Sequence, residues 1–371
     1  MRNRRVASII GTRPEAIKMA PVIRELSRPD SPFEHVVIAT AQHREMLDQV
    51  LSVFDIKPDF DLALMRQDHG LADFASRSLS AVSALLADLK PDAILIQGDT
   101  TTVMTAALAA FYQGIRIGHV EAGLRSFDRK NPFPEEVNRR IAGCLADMHF
   151  APTTRARENL LREGAPDSAI FITGNTIVDA LMSIDTSGEF SDPTISKIDF
   201  NRKRVVLVTA HRRENHGEPL RALCGALRTL AETFSDIEIV YPVHLNSNVR
   251  QVAREELRGI DRIHLLEPVS YSDMLKVMAR CYIVLTDSGG IQEEAPSFHK
   301  PVLVLREVTE RPELIEAGGG KVIGTDRDQI VEETSRLLND SSEHERMSAA
   351  VNPFGDGRAA RRIAAVLAER L

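Results

Sequence analysis

Short apolar runs alternate with longer amphipathic stretches along the whole chain, and few folds are open to a sequence built that way. Apolar runs without internal alternation suit strands buried on both faces, and amphipathic helices supply the two covers. The runs at 6–10, 36–39, 93–96, 116–120 and 148–151 predict one parallel sheet; those at 205–208, 237–241, 262–265, 282–285 and 302–305 predict a second. Helical spacing lies between them, for example at 16–27, 45–54, 71–89, 220–233 and 249–258. The predicted fold class is therefore α/β, with two doubly wound Rossmann-like domains in succession. A length of 371 residues agrees, since single cores stop growing at about 250–300 residues. Residues 186–196 are polar, aperiodic and contain Gly and Pro, which reads as a linker or exposed loop. Residues 357–371 carry a strong helix pattern that need not belong to the domain before it.

The composition removes several function classes. Forty-three per cent hydrophobic and 27% charged residues describe an ordinary globular protein. The balance of 46 basic against 53 acidic residues, a formal charge of −7, argues against nucleic acid as the main partner. The apolar stretch after the basic start is too short for a signal-peptide core, and no run is long enough to span a bilayer. Cys144, Cys224 and Cys281 are odd in number and widely separated. They read as buried free thiols of a cytoplasmic protein.

Ligands of open parallel sheets bind outside the carboxyl ends of the strands, and those ends are rich in polar residues here. In the first half they read Gly11-Thr12-Arg13-Pro14-Glu15 with Lys18 one turn on, Thr40-Ala41-Gln42-His43-Arg44, Gln97-Gly98-Asp99-Thr100 and His119-Val120-Glu121. In the second half they read His211-Arg212-Arg213-Glu214-Asn215, Pro242-Val243-His244, Thr286-Asp287-Ser288-Gly289-Gly290 and Arg306 through Glu313. Capping alone does not account for so many, and two such rims facing each other would enclose a cleft rich in Arg, His and carboxylates. Bare glycines at a helix start favour an anion such as phosphate, with Ser288 adding a hydroxyl and Glu293 and Glu294 within a turn for a ribose hydroxyl. The plainer reading of that turn is a Ser-capped helix.

Other motifs are weaker. There is no Walker-type phosphate loop, and Gly318-Gly319-Gly320-Lys321 reads as a loop cluster because it precedes an apolar pair. Asp59-Phe60-Asp61 and Asp326-Arg327-Asp328 read as exposed loop acids, and His211 and His216 lack the spacing of a helical zinc pair, so no metal is expected. Arg13, Lys18, Arg311 and helix N-termini would then balance a diphosphate. Asp99 and Glu121 end successive strands and share a pocket if those strands are neighbours. Glu135 and Arg139 share one face of a helix start. The plain alternatives are an N-cap for Asp99 and a surface ion pair for Glu135 with Arg139.

Taken in order, the segments GTRPEAIKMAP (11–21), QGDTTT (97–102), HVEAGLRS (119–126), PFPEEVNRR (132–140), TGNTIVDAL (173–181), VTAHRREN (208–215), YPVHLNSNVR (241–250), TDSGGIQEEAP (286–296) and ERPE (310–313) closely resemble those of bacterial non-hydrolysing UDP-N-acetylglucosamine 2-epimerases. The resemblance covers nearly the whole chain. It implies the GT-B two-domain fold of one large glycosyltransferase class, with domains at 1–174 and 175–354, a helix at 355–371 crossing back to the first, and an active-site cleft between them. It also implies a homodimer without a dissociable cofactor, feeding cell-surface polysaccharide synthesis.

The reaction implied is reversible conversion of UDP-GlcNAc to UDP-ManNAc. UDP leaves carbon 1 as carbon 2 loses its proton; 2-acetamidoglucal and UDP stay together; a proton returns to the opposite face and UDP re-adds. Two acid/base groups on opposite faces are needed. By resemblance the candidates are Asp99, Glu121, Glu135 and His211, with Asp99 the first choice as base and His211 near the phosphate–sugar junction. Lys18 and Arg139, with Arg13, stabilise developing charge. Ser288, Gly289 and Gly290 carry the diphosphate, Glu294 the ribose, and Arg311 and His244 complete the UDP contacts. Relatives also bind UDP-GlcNAc as an activator; Gln42 and His43 match that site, whereas His69 stands where many relatives have Gln and cannot reproduce both its donor and acceptor patterns. Competing readings are an epimerase of a modified UDP-sugar such as a diacetamido uronic acid, a hydrolysing epimerase, a UDP-sugar glycosyltransferase and a nucleotide-sugar sensor.

Overall fold

The structure is a computed structural model and describes residues 4–40, 44–64, 70–210, 212, 215, 217–243 and 247–371. The chain forms two compact units, Met1–Ser183 with Phe354–Leu371, and Ile184–Pro353. The first holds strands β1 (Arg4–Ile10), β2 (Phe33–Ala39), β3 (Phe60–Asp61), β4 (Ala93–Gln97), β5 (Arg116–Val120), β6 (Met148–Ala151) and β7 (Ile170–Ile172). Its helices are α1 (Arg13–Leu26), α2 (Arg44–Val53), α3 (Leu71–Leu89), α4 (Thr101–Phe111), α5 (Glu135–Leu145), α6 (Thr154–Arg162) and α7 (Thr176–Met182). The second unit holds β8 (Arg204–Thr209), β9 (Ile237–Pro242), β10 (Ile263–Leu266), β11 (Ile283–Thr286), β12 (Val302–Val304) and β13 (Gly320–Val322). Its helices are α8 (Glu218–Thr233), α9 (Ser247–Leu257), α10 (Tyr271–Arg280), α11 (Gly289–Glu294), α12 (Pro312–Glu316), α13 (Arg327–Asn339) and α14 (Ser341–Ser348), and α15 (Ala359–Arg370) ends the chain in the first unit.

All pairings between these strands are parallel, in the orders β3-β2-β1-β4-β5-β6-β7 and β10-β9-β8-β11-β12-β13. The second order repeats the first six places of the first. In each sheet the order reverses beside the opening strand, between β1 and β4 and between β8 and β11, and a doubly wound sheet binds its ligand at such a reversal. The apolar runs form the strands because both sheet faces are covered: Val6, Ala7, Ile9 and Ile10 have no exposure, nor do Ile283, Val284 and Leu285. Helix α4 packs centrally by being small, with Ala106, Ala107, Ala109 and Ala110 wholly buried. Among the described residues, no helix is long and apolar enough to cross a membrane.

Several local readings are corrected or sharpened. Of the two readings of residues 186–196, the structure gives the exposed loop rather than the linker, because the segment is tied down. Arg280 donates to the carbonyls of Thr186, Ser187 and Gly188 at 3.0, 2.7 and 2.8 Å, and buried Asp273 accepts from the amides of Ser191 and Asp192. The sequence placed a boundary after residue 174, but α7 packs on α1, and Asp179 of α7 caps α15 through the amides of Ala359 and Ala360 at 3.1 and 2.9 Å. The glycine cluster at 318–320 runs into edge strand β13, where Gly320 lies against Leu314. Asp59 and Asp326 are exposed, as read, and each is engaged locally: Asp59 accepts the Val37 amide at 2.7 Å and leads into β3, and Asp326 caps α13 through the Gln329 amide at 3.0 Å. Cys224 and Cys281 are buried, which pushes each thiol up to about 12, but Cys144 is exposed on α5.

Candidate active site

Neighbouring strands β4 and β5, with Gln97 in register with Val120, deliver Asp99 and Glu121 side by side at one sheet rim. Asp99 does not cap α4. The Thr100 hydroxyl does so, accepting the Val103 amide at 3.3 Å, and this leaves the Asp99 carboxylate to pair with the Arg139 guanidinium. Arg139 also reaches Glu136 at 3.3 Å. The plain alternative, a Glu135–Arg139 surface pair, gives way to Asp99–Arg139–Glu136, with the Arg139 side chain 12% exposed. Glu135, half-buried, opens α5 beside them. Buried Glu136 fixes the approach to that helix by accepting the amides of Ser126 and Phe127 at 3.0 and 3.2 Å.

The second carboxylate is held as firmly. Lys18, one turn into α1, forms an ion pair with Glu121, and their side chains are 13% and 9% exposed. Glu121 has φ 62°, a left-handed conformation that costs a glutamate roughly 1–3 kcal/mol and is found where the surroundings over-determine a functional residue. His119, two residues earlier, is buried and held down to about 3 by that burial. A neutral ring with Nε2 2.7 Å from the Gly98 carbonyl donates to it, and so steadies the residue before Asp99. Arg13 opens α1 at the same rim and is half-buried. Gly11 ends β1 where a Cβ would collide with the hydroxyls of Thr102 and Thr40, which are bonded to each other at 3.0 Å.

The rim of the second unit has another chemistry. Ser288 is the N-cap residue of α11, but its side chain makes no capping bond, so the hydroxyl is not spent on the helix as the plain reading required. A Cβ on Gly289 would lie 3.8 Å from Arg212 Nη2 and 3.9 Å from Arg311 Nη2. Two guanidinium groups thus flank a stretch of bare backbone at a helix start, an arrangement suited to phosphate oxygens. The acids behind them are already committed. Glu293, buried, binds Arg311 at 2.5 Å. Glu310 lies 3.3 Å from Arg212; burial works to raise its carboxyl, but Arg212, Arg311 and Arg306 hold it below its ordinary value. Glu294 is left to accept from the Tyr271 hydroxyl at 3.2 Å. Buried Asp287 accepts from the Arg212 amide and the Asn215 side chain, both at 2.9 Å, and so anchors the chain on either side of the Arg212 turn.

The structure thus gathers Asp99, Arg139, Glu121 and Lys18 at one rim, and Ser288, Gly289, Gly290 and Arg311 at the other. Gln42, His43, His69, His211 and His244 lie outside the described residues. Sequence reasoning missed Glu136, His119 and Arg212 as supports of these groups. All three stand inside the quoted segments, but nothing in their spacing says which neighbour they hold.

A family model described as UDP-N-acetylglucosamine 2-epimerase matches residues 25–368. The chain is similar to the UDP-N-acetylglucosamine 2-epimerase of Escherichia coli K12, 50% identical over 365 residues that cover 97% of each protein. It is also similar to that of Bacillus subtilis, 49% identical over 363 residues, 98% of this chain and 94% of the relative. The crystal structure of the UDP-GlcNAc 2-epimerase of Neisseria meningitidis bound to UDP-GlcNAc is 44% identical and matches this fold with a TM-score of 0.88, over 99% of this chain and 100% of that one.

Proposed function

Because this chain belongs to the UDP-N-acetylglucosamine 2-epimerase family, we propose that it interconverts UDP-GlcNAc and UDP-ManNAc by eliminating and re-adding UDP. The observation that carries the mechanism is the pair of cation-bound carboxylates, Asp99 with Arg139 and Glu121 with Lys18, on adjacent strand ends. Inverting carbon 2 needs one group to take the proton and another to return one to the opposite face, and both must keep fixed positions while the bond at carbon 1 is open.

Asp99 takes the carbon-2 proton. The carbon 1–oxygen bond breaks with its electron pair leaving on UDP, and a carbon 1–carbon 2 double bond forms. Arg212, Arg311, Ser288 and the bare amides of Gly289 and Gly290 hold the departing diphosphate, so that it stays until it can re-add. A second group among Glu121, Glu135 and His211 delivers a proton to the other face of carbon 2, and the UDP oxygen closes on carbon 1. Glu294 takes the ribose, and His244 completes the UDP contacts. No cofactor enters these steps. We further propose that the enzyme is a cytoplasmic homodimer, and that Gln42, His43 and His69 form a second UDP-GlcNAc site that activates it.

Incubation with UDP-GlcNAc in deuterated water, followed by proton NMR, is expected to give UDP-ManNAc with deuterium at carbon 2. Absence of exchange sinks the proposal, and free ManNAc as the main product selects a hydrolysing enzyme instead. Sedimentation tests the dimer. A UDP-ManNAc reaction that accelerates on addition of trace UDP-GlcNAc tests the activator site.

A further inference from the structure

Arg125 lies in the loop after β5 that also carries Glu121, and the mechanism above gives it no task. Its side chain has no exposure, and a buried guanidinium, which stays charged, needs a partner acid. The partner is Glu163, the C-cap residue of α6: Arg125 Nε and Nη2 donate to its two carboxylate oxygens at 2.9 and 2.7 Å. A grip at two points fixes the plane of the guanidinium as well as its place. Burial works to raise the Glu163 carboxyl, but Arg125, with Arg140 behind it, holds it below its ordinary value.

The remaining bond of Arg125 points toward the site. Its Nη1 donates to the Leu124 carbonyl at 2.7 Å, and the same oxygen accepts from Arg139 Nη1 at 3.3 Å. Arg139 gives its Nη2 to Asp99. A continuous series of bonds therefore runs from α6 to the reaction centre, through Glu163, Arg125, the Leu124 carbonyl, Arg139 and Asp99. Two cations that share one carbonyl repel each other, and each has its own acids: Glu163 for Arg125, Glu136 and Asp99 for Arg139. Two glycines make room for the arrangement. Gly123, at φ 92°, stands where a Cβ would collide with the Ala156 carbonyl of α6, and buried Asn159 donates to the Gly123 carbonyl at 3.0 Å. On α5, a Cβ at Gly143 would come within 3.3 Å of Arg125 Nη2.

We infer that Arg125 is a positioning residue for Arg139: gripped by Glu163, it fixes the Leu124 carbonyl that holds one edge of the Arg139 guanidinium, and so sets the edge that Arg139 turns to Asp99. The inference rests on the reading of the Asp99–Arg139 pair as part of the reaction centre. A lysine cannot replace Arg125, because an ammonium is a point donor without the planar fork. The Arg125 side chain is sealed from substrate, so its effect belongs in kcat and not in KM.

The experiment compares wild type with Arg125→Lys, Glu163→Gln, their double variant, Arg157→Gln and Asp99→Asn for kcat, KM, carbon-2 deuterium exchange, UDP affinity and Tm, with kinetics run well below the lowest Tm. Arg157 pairs with Asp167 at 2.7 Å, an ion pair of α6 that does not lead to the loop, and its variant is the control. Arg125→Lys keeps the charge and loses the grip. Its kcat and exchange are expected to fall together by about 10-fold, since a misplacement of about 1 Å can cost about 10²-fold, with KM and UDP affinity within about twofold. Glu163→Gln keeps one acceptor and should fall by about threefold, and the double variant should be no slower than Arg125→Lys, because both changes act on one pair. Arg157→Gln should match wild type. The inference is overturned by a kcat within about twofold of wild type in Arg125→Lys, by KM or UDP affinity moving as far as kcat, or by an equal fall in Arg157→Gln. If Arg125→Lys does not fold, Glu163→Gln decides by the same criteria. Wild type without exchange defeats the epimerase reading instead, and exchange that survives Asp99→Asn defeats the reading of the Asp99–Arg139 pair.

Discussion

The two units of this chain are built on one plan and place different groups at its rim. Each opens on a strand with its sheet reversing beside it, and in each a buried threonine pair sits near that reversal: Thr40 bonds Thr102 at 3.0 Å, and Thr209 bonds Thr286 at 2.6 Å. Beyond this shared support the rims diverge. The first unit exposes carboxylates whose cations lie beside them. The second has guanidinium groups beside a bare glycine turn, with their carboxylates set behind. The lesson is that the fold fixes where chemistry can happen, while the sign of the charge presented there decides which chemistry. Proton transfer needs a carboxylate that is held but reachable; holding a diphosphate needs donors that converge and backbone without side chains.

The comparison is tested most severely by Asp99→Asn. If the first rim does proton transfer alone, kcat should fall about 10³-fold, within the usual range for an acid/base group, while UDP affinity by calorimetry stays put. Loss of UDP binding would show that the rims do not divide the work.

Next in size is the stability of Glu15→Gln, at a carboxyl in the first turn of α1 that is 1% exposed and that burial pushes up to about 7. Between its ordinary 4.5 and about 7, the folded chain holds a proton that the unfolded chain has lost, so stability falls as pH rises through that window. Above it the penalty is about 3 kcal/mol. Thermal unfolding should find Glu15→Gln more stable than wild type at pH 8, with the advantage shrinking toward pH 4.5. Lower stability at pH 8 would show that burial does not raise the Glu15 carboxyl.

The glycines differ between the rims in a way that sharpens the contrast. Gly11→Ala forces a methyl into Thr40 and Thr102, and such overpacking costs about 1–3 kcal/mol, visible as a lower Tm. Gly289→Ala meets only guanidinium nitrogens at 3.8 and 3.9 Å, ordinary contact distances. Its Tm should be unchanged, but if the turn holds the diphosphate as proposed, the added methyl should weaken UDP by about 10-fold, or 1.4 kcal/mol. Equal behaviour of the two variants would erase the distinction between a glycine kept for packing and one kept for a ligand.

Much of this architecture was legible before any coordinates. The runs at 116–120 and 148–151 became β5 and β6 without change, and 71–89 became α3, because a strand buried on both faces or a long amphipathic helix declares itself by pattern alone. Short edge strands did not. The pairs in β3 and the three residues of β7 and β13 are too brief to show a period, and Gly320 looks like a turn until Leu314 is seen against it. Likewise 186–196 has the composition of a linker, and only Asp273 and Arg280, about 80–90 positions away in sequence and beyond any local signal, reveal that it is tied down.

The sequence by itself determined the α/β class, the duplication, the family segments and the residue types at the strand ends, because these are written in local order. Tertiary structure alone decided the pairings. Arg139 was matched by helical spacing to Glu135, but the fold gives it to Asp99; Glu293 and Glu294 look equivalent in sequence, but Arg311 takes the first and leaves Tyr271 to the second. The reason is range. Helix and strand patterns act over a few residues, whereas an ion pair is chosen by which strand ends the sheet brings together, and that is settled only when the whole parallel order has formed.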